Sequence, residues 1–123
     1  MTDLLTHTKD SSLTGLFFAI GFQIVGIAIA FMASSVNYAF LLFADTVGHE
    51  IALSVPIIAT ALFTIVWGDA TLRSQISNIK DASNVTRKTN AHKDISAQPY
   101  GVLRLMNLGL ATALATSQFA ILF

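Results

Sequence analysis

Residues 13–34, LTGLFFAIGFQIVGIAIAFMAS, contain no charged side chain. As a helix rising 1.5 Å per residue, such a run covers about the 30 Å hydrocarbon core of a bilayer. Two further apolar runs follow, at 51–68 and 100–123. A chain of 123 residues, 54% hydrophobic and 11% charged, is too small to hide three such runs in a soluble core. Inside a bilayer each run must satisfy its own backbone, which selects helices. The expected fold is therefore an all-α integral membrane protein of one domain with three transmembrane helices.

Along the chain, Asp10, Ser11 and Ser12 offer an N-cap to the first span. Leu4 and Leu5 upstream suit a membrane surface. No basic n-region precedes the first span, so it reads as retained rather than cleaved. The short outer segment 35–50 holds the apolar piece 36–44, which either lengthens the first helix or lies in the interface with Tyr38 at headgroup level. Asp45 or Thr46 can cap the second helix, and Glu50 suits its dipole. Pro56 removes one backbone hydrogen bond from that helix and favours a kink. Beyond 68, Leu72, Ile76 and Ile79 recur at helical spacing while Arg73 and Lys80 lie off that stripe. This predicts an amphipathic cytoplasmic extension of the second helix to about residue 80. Residues 81–98 form a hydrophilic inner loop, and Pro99 fits the first position of the third helix.

The basic residues set the orientation. Arg73, Lys80, Arg87, Lys88 and Lys93 lie between the second and third spans and Lys9 precedes the first, whereas 35–50 carries none. The positive-inside rule places the N-terminus on the cytoplasmic side and the C-terminus outside, in a bacterial inner membrane or an organellar inner membrane. Trp67 and Tyr100 mark the inner interface.

Two faces carry the functional reading. On a wheel of the first span, Gly15, Ala19, Gln23, Gly26, Ala30 and Ala33 share a quadrant. On the third, Arg104, Asn107, Ala111, Ala115 and Gln118 share another. Small residues in line admit a second backbone, and an amide among them hydrogen-bonds across the contact. Gln23, Asn107 and Gln118 therefore read as helix-packing residues. Arg104, about one turn inside the third span, either snorkels to the inner surface beside Tyr100 or, with Tyr100 and Trp67, meets a lipid or quinone headgroup.

Chemistry is sparse. Without cysteine there is no thiolate metal site or c-type haem attachment. No histidine lies in a span to ligate haem, and no carboxylate lies deep enough for proton-coupled transport. Asp45, His49 and Glu50 make a weak metal set that helix capping explains better. Zero net charge gives no argument for nucleic acid. The function expected is a non-enzymatic accessory subunit of a larger membrane complex, an energy-transducing, electron-transfer one by prior. Its partners are other integral membrane subunits and membrane lipids. It binds no cofactor alone, and a lipid, pigment or quinone would sit at a subunit interface. The alternative is self-association into a holin-like pore or small transporter, with Gln23, Thr60, Thr64, Asn107 and Gln118 lining a neutral path.

The topology makes a direct prediction. A cysteine introduced at Thr89 should react with an impermeant thiol reagent only from the cytoplasmic side, and one at Gly48 only from the opposite side. Reaction of both from one side would end the three-span arrangement.

Overall fold

A computed structural model describes the backbone of residues 2–123 and the side chains of 14, 15 and 17–123. It consists of α1 (Thr2–Phe43), α2 (Glu50–Asp81), a 3-10 turn (Thr86–Lys88), α3 (Asn90–Ser96) and α4 (Tyr100–Leu122). Segments of α1, α2 and α4 are long and apolar enough to cross a membrane.

α1 is longer than the apolar run alone predicts. It is already helical at Thr2, so the cap expected at Asp10–Ser12 gives way to continuous helix. The side chains of Leu4 and Leu5 lie outside the described residues. No glycine or proline interrupts 2–12, and a helix once nucleated propagates through polar residues at little cost. At the other end the piece 36–44 continues α1 to Phe43. Ser35, at the junction, folds its hydroxyl onto the Phe31 carbonyl (2.8 Å) rather than competing for the main chain.

The turn into α2 corrects the capping expectation. The backbone reverses at Gly48, whose φ of 82° lies where glycine has no steric penalty. Asp45 is thereby left too far upstream to cap, and its Oδ1 accepts instead from the Val47 N–H at 3.3 Å. His49 occupies the N-cap position without a side-chain bond. Glu50 Oε1 reaches back to the Gly48 N–H at 3.0 Å. The helix then runs unbroken through Pro56.

Residues 81–98, expected as a loop, are folded onto the end of α2. Arg87 Nη2 donates to the Lys80 carbonyl (2.6 Å) and Nε to the Ala82 carbonyl (3.0 Å). Orphan carbonyls at a helix C-terminus favour such a cation. Thr89 caps α3 by accepting from the His92 N–H at 3.2 Å, and the His92 ring lies 3.3 Å from the Ile79 carbonyl. Pro99 stands one position earlier than expected, at the N-cap of α4.

The long helices pack antiparallel with α2 against both of the others, and α1 meets α4 less extensively. Each buries a seam with alternating steps of three and four residues. On α1 these are Ile20, Gln23, Ile27, Ala30, Ser34, Asn37 and Leu41. On α2 they are Ile57, Ala61, Thr64, Gly68, Thr71, Gln75 and Asn78. On α4 they are Arg104, Asn107, Ala111, Leu114, Gln118 and Ile121. A mean step of 3.5 is the period of left-handed helix packing. Most seam positions are small or polar, and a buried apolar cluster forms at the end where Leu41, Ile57 and Leu122 meet. The buried threonines need no partner helix: Thr64 Oγ1 bonds the Thr60 carbonyl at 2.7 Å and Thr71 Oγ1 the Trp67 carbonyl at 2.8 Å.

One contact fixes the approach of α4 to α2. The Asn107 amide lies flat on Gly68 and donates from Nδ2 to the Thr64 carbonyl at 3.0 Å. A Cβ on Gly68 would stand 2.5 Å from that nitrogen. Gly68→Ala must therefore push the amide off Thr64, costing about 1 kcal/mol, the scale of one interhelical bond between apolar helices. In an Asn107→Ala background the same change should be nearly silent. Unfolding in mild detergent measures the cycle, and additive costs would deny the contact. Gly109→Ala, where a Cβ meets nothing within 4 Å, is the neutral control.

Candidate functional site

The polar side chains of the three helices collect at separate levels along the bundle. Towards the end holding Phe43 and Leu122 stands Gln118, which has no solvent exposure. Its Nε2 donates to Ser34 Oγ at 2.9 Å and to the Leu114 carbonyl at 3.2 Å. Its Oε1 accepts from Asn37 Nδ2 at 2.6 Å. Both N–H donors and the carbonyl are thus satisfied, and the amide ties α4 to α1. Burial without those partners would cost about 1–3 kcal/mol per group. Asn107, three turns nearer the loop end, ties α4 to α2 as described above.

One turn further along α4 is a charged cluster. Asp69 Oδ1 takes Arg104 Nε at 2.5 Å across the α2–α4 interface, and Asp69 Oδ2 takes Arg73 Nε at 2.7 Å along α2. The carboxylate is about one-third exposed, as is Arg104, while Arg73 is two-thirds exposed. Each arginine is engaged through Nε alone. Among the described residues no side chain or carbonyl takes their terminal Nη donors. With two positive charges and one negative, the cluster carries a net +1. It closes one end of a groove between α2 and α4 whose walls are Ile65, Val66, Leu105 and Leu108.

The residues singled out by sequence fall into groups. On α1, Ala30 is buried and Gln23 and Gly26 are half-buried, whereas Gly15, Ala19 and Ala33 are exposed. The buried face is centred on Ile20, Ile27, Ser34 and Leu41, rotated from the quadrant of small residues, so that Ala19, Gly26 and Ala33 form a line along its flank. On α4, Ala111 and Gln118 are buried and Asn107 and Ala115 half-buried. Gln23 lies at the level of Arg73, Ser74, Ser77 and Asn78, in a shallow cleft between α1 and α2. Its Oε1 is buried without a hydrogen-bond partner.

Arg104, Tyr100 and Trp67 are not brought together. The Tyr100 hydroxyl donates to the Ile95 carbonyl at 2.9 Å, holding α3 against the start of α4. Trp67 stacks on Phe63 (5.5 Å between centroids) and turns towards Gly26 on α1. Asp45, His49 and Glu50 make local turn contacts, and among the described residues no three His, Cys, Asp or Glu stand close enough to share a metal. Sequence reasoning gave no partner to Asp69 or Asn37, used Arg73 only for the stripe and the orientation, and left Ser34 at the edge of the small-residue quadrant. For the first a signal exists: Asp69 ends one apolar run and Arg104 starts the next, so antiparallel neighbours place them at one depth.

Compared with known proteins, the chain matches no family, no curated sequence and no solved structure, so what it does has to be argued from these residues alone.

Proposed function

We propose that this chain is a non-catalytic, three-span subunit of a larger membrane assembly. The observation that carries the proposal is an apolar surface on α1 that its own bundle leaves bare. Among the described residues the apolar part of α1 extends over 27 residues, Phe17–Phe43, or about 40 Å. A bilayer core of about 30 Å accommodates such a length only by tilt or by a partner. At one end of it Phe17, Phe18, Gly21, Phe22 and Val25 line a shallow apolar cleft. Phe18 and Phe22 are 71% and 76% exposed. These same turns of α1 face the polar stretch Arg73–Asn78 of α2 on their other side. Exposed aromatic surface at a polar boundary, flanked by the uncovered Gly15 and Ala19, suits a second polypeptide better than lipid alone.

The fate of the polar groups supports the same reading. Gln118, Asn107 and Asp69–Arg104 are turned inward and paired within the chain. The hydroxyls of Thr60 and Thr64 are tied to their own helix. Of the groups that would line a neutral pore, Asn107 and Gln118 are thus engaged in holding one copy together and the two threonines are tied to α2, while Gln23 keeps its Oε1 without a partner. In this reading the membrane slab runs from the end carrying Phe43, Glu50 and Leu122 to the level of Asp69 and Arg104, which stand at the cytoplasmic interface.

The chain, tagged at native expression level and extracted in mild detergent, should migrate on native gels with unrelated larger membrane proteins. Phe18→Ala combined with Phe22→Ala should reduce that co-migration several-fold while the chain stays membrane-integrated. A ladder of self-multiples, or a monomer alone under the mildest extraction, would overturn the proposal.

A further inference from the structure

We infer that the α2–α4 groove is a binding site for one anionic phospholipid, its phosphate held by Arg73 and Arg104 and an acyl chain laid along Ile65, Val66, Leu105 and Leu108. The inference rests on the membrane-spanning part of the reading above and not on the subunit role. Three observations carry it. The first is the state of the two guanidinium groups. A guanidinium has five N–H donors, and Asp69 engages each arginine through Nε only, leaving the terminal Nη donors of both without partners among the described residues. Their planar forks match phosphate oxygens.

The second is the role of the carboxylate. By taking one arginine on each oxygen, Asp69 holds the two cations together and removes only one of their two charges. The residual +1 attracts a phosphodiester, which carries a single negative charge, and gives no reason for a zwitterionic headgroup to be retained. Paired basic side chains between helices, on the side where basic residues accumulate, are the usual chemistry of such headgroup sites.

The third is the shape beneath the charges. The groove wall at the loop end is Gly101, where an added Cβ would meet nothing within 4 Å. Leu105, 69% exposed, and Leu108, 45% exposed, form one side, and Val66, 64% exposed, stands on the other. A chain lying there removes apolar surface of the protein from whatever surrounds it, directly below the phosphate. The Asn107 amide, which also borders the groove, is already bonded to the Thr64 carbonyl and so fixes the floor.

The test uses the purified full-length chain in detergent. Native mass spectrometry counts lipid retained from added dioleoyl phosphatidylglycerol and, separately, dioleoyl phosphatidylcholine, which share acyl chains and differ in headgroup charge. The wild-type chain should retain the glycerol lipid preferentially. Arg73 is exposed and bonded only along its own helix, so Arg73→Gln should fold normally and lose about fivefold in affinity for the anionic lipid, the effect of one basic group near a headgroup. Gly101→Leu fills the groove without touching charge and should weaken retention of both lipids. Equal retention of the two lipids by the wild type overturns the inference. So does an unchanged preference in Arg73→Gln, or displacement of the glycerol lipid by inorganic phosphate, which would mark a site for a soluble anion.

Discussion

Between apolar helices the hydrophobic effect has little left to drive once the helices are in lipid, so association depends on close packing and on hydrogen bonds across the contacts. The bundle meets that constraint with amides at the interfaces of α4. Gln118 joins α4 to α1 through Ser34 and Asn37, and Asn107 joins α4 to α2 through the Thr64 carbonyl. Much of the packing follows from these. Gly68 has to be glycine because the Asn107 amide lies on it. Ala30 stands one turn before Ser34 on the seam, where a small side chain lets α1 come near enough for that hydroxyl to reach Gln118. Buried apolar bulk, which a soluble bundle would spread along its axis, is gathered near the helix ends in the cluster of Leu41, Ile57 and Leu122. Elsewhere on the α1 seam the large apolar members are Ile20, which is buried, and Ile27, which is half-buried.

How far this was legible in sequence depends on the kind of information required. The three apolar helices and the extension of the second past residue 68 follow from hydropathy and period, since both are properties of one segment at a time. The stripe of Arg104, Asn107, Ala111 and Gln118 on the third helix is visible for the same reason. Partners are not, because they join residues more than thirty positions apart through a register that no single wheel contains. The face of α1 was displaced for a related cause. A wheel drawn at 3.6 residues per turn gathers Gly15, Ala19 and Ala33 with Gly26. At a period of 3.5 Ala19, Gly26 and Ala33 still fall in one line, but that line flanks the seam, whose centre on Ile20, Ile27 and Ser34 is set by which face of α1 meets α2 and α4. Local turn chemistry was hidden too. Asp45 looks like a cap until Gly48 is seen to reverse the chain after it.

Charge is distributed by a different logic from the amides. Arg87, counted among the basic residues of the inner loop, spans the end of α2 through the carbonyls of Lys80 and Ala82. Arg104 meets Asp69 across the interface, and Arg73 shares that carboxylate. Arg87, one of the basic residues between the second and third spans, thus also closes the second helix, while Arg104 fastens the third. A change that removed these charges would also unfasten the loop end of the bundle.

The two ends of the molecule differ in consequence. At the end holding Phe43 and Leu122 the three helices close over an apolar core, and Gln118, one turn before Leu122, is wholly enclosed. At the other end α1 runs back to Thr2 whereas α4 begins at Tyr100, and Phe18 and Phe22 stand outward. Those turns of α1 keep aromatic rings exposed on one side and face the polar stretch 73–78 of α2 on the other. At this end Gln23 keeps a carbonyl oxygen buried without a donor. Its seam position is the equivalent of Asn37, two heptads along α1, but the α4 residue two heptads before Gln118 is Arg104, which is turned to Asp69 on α2 rather than to α1.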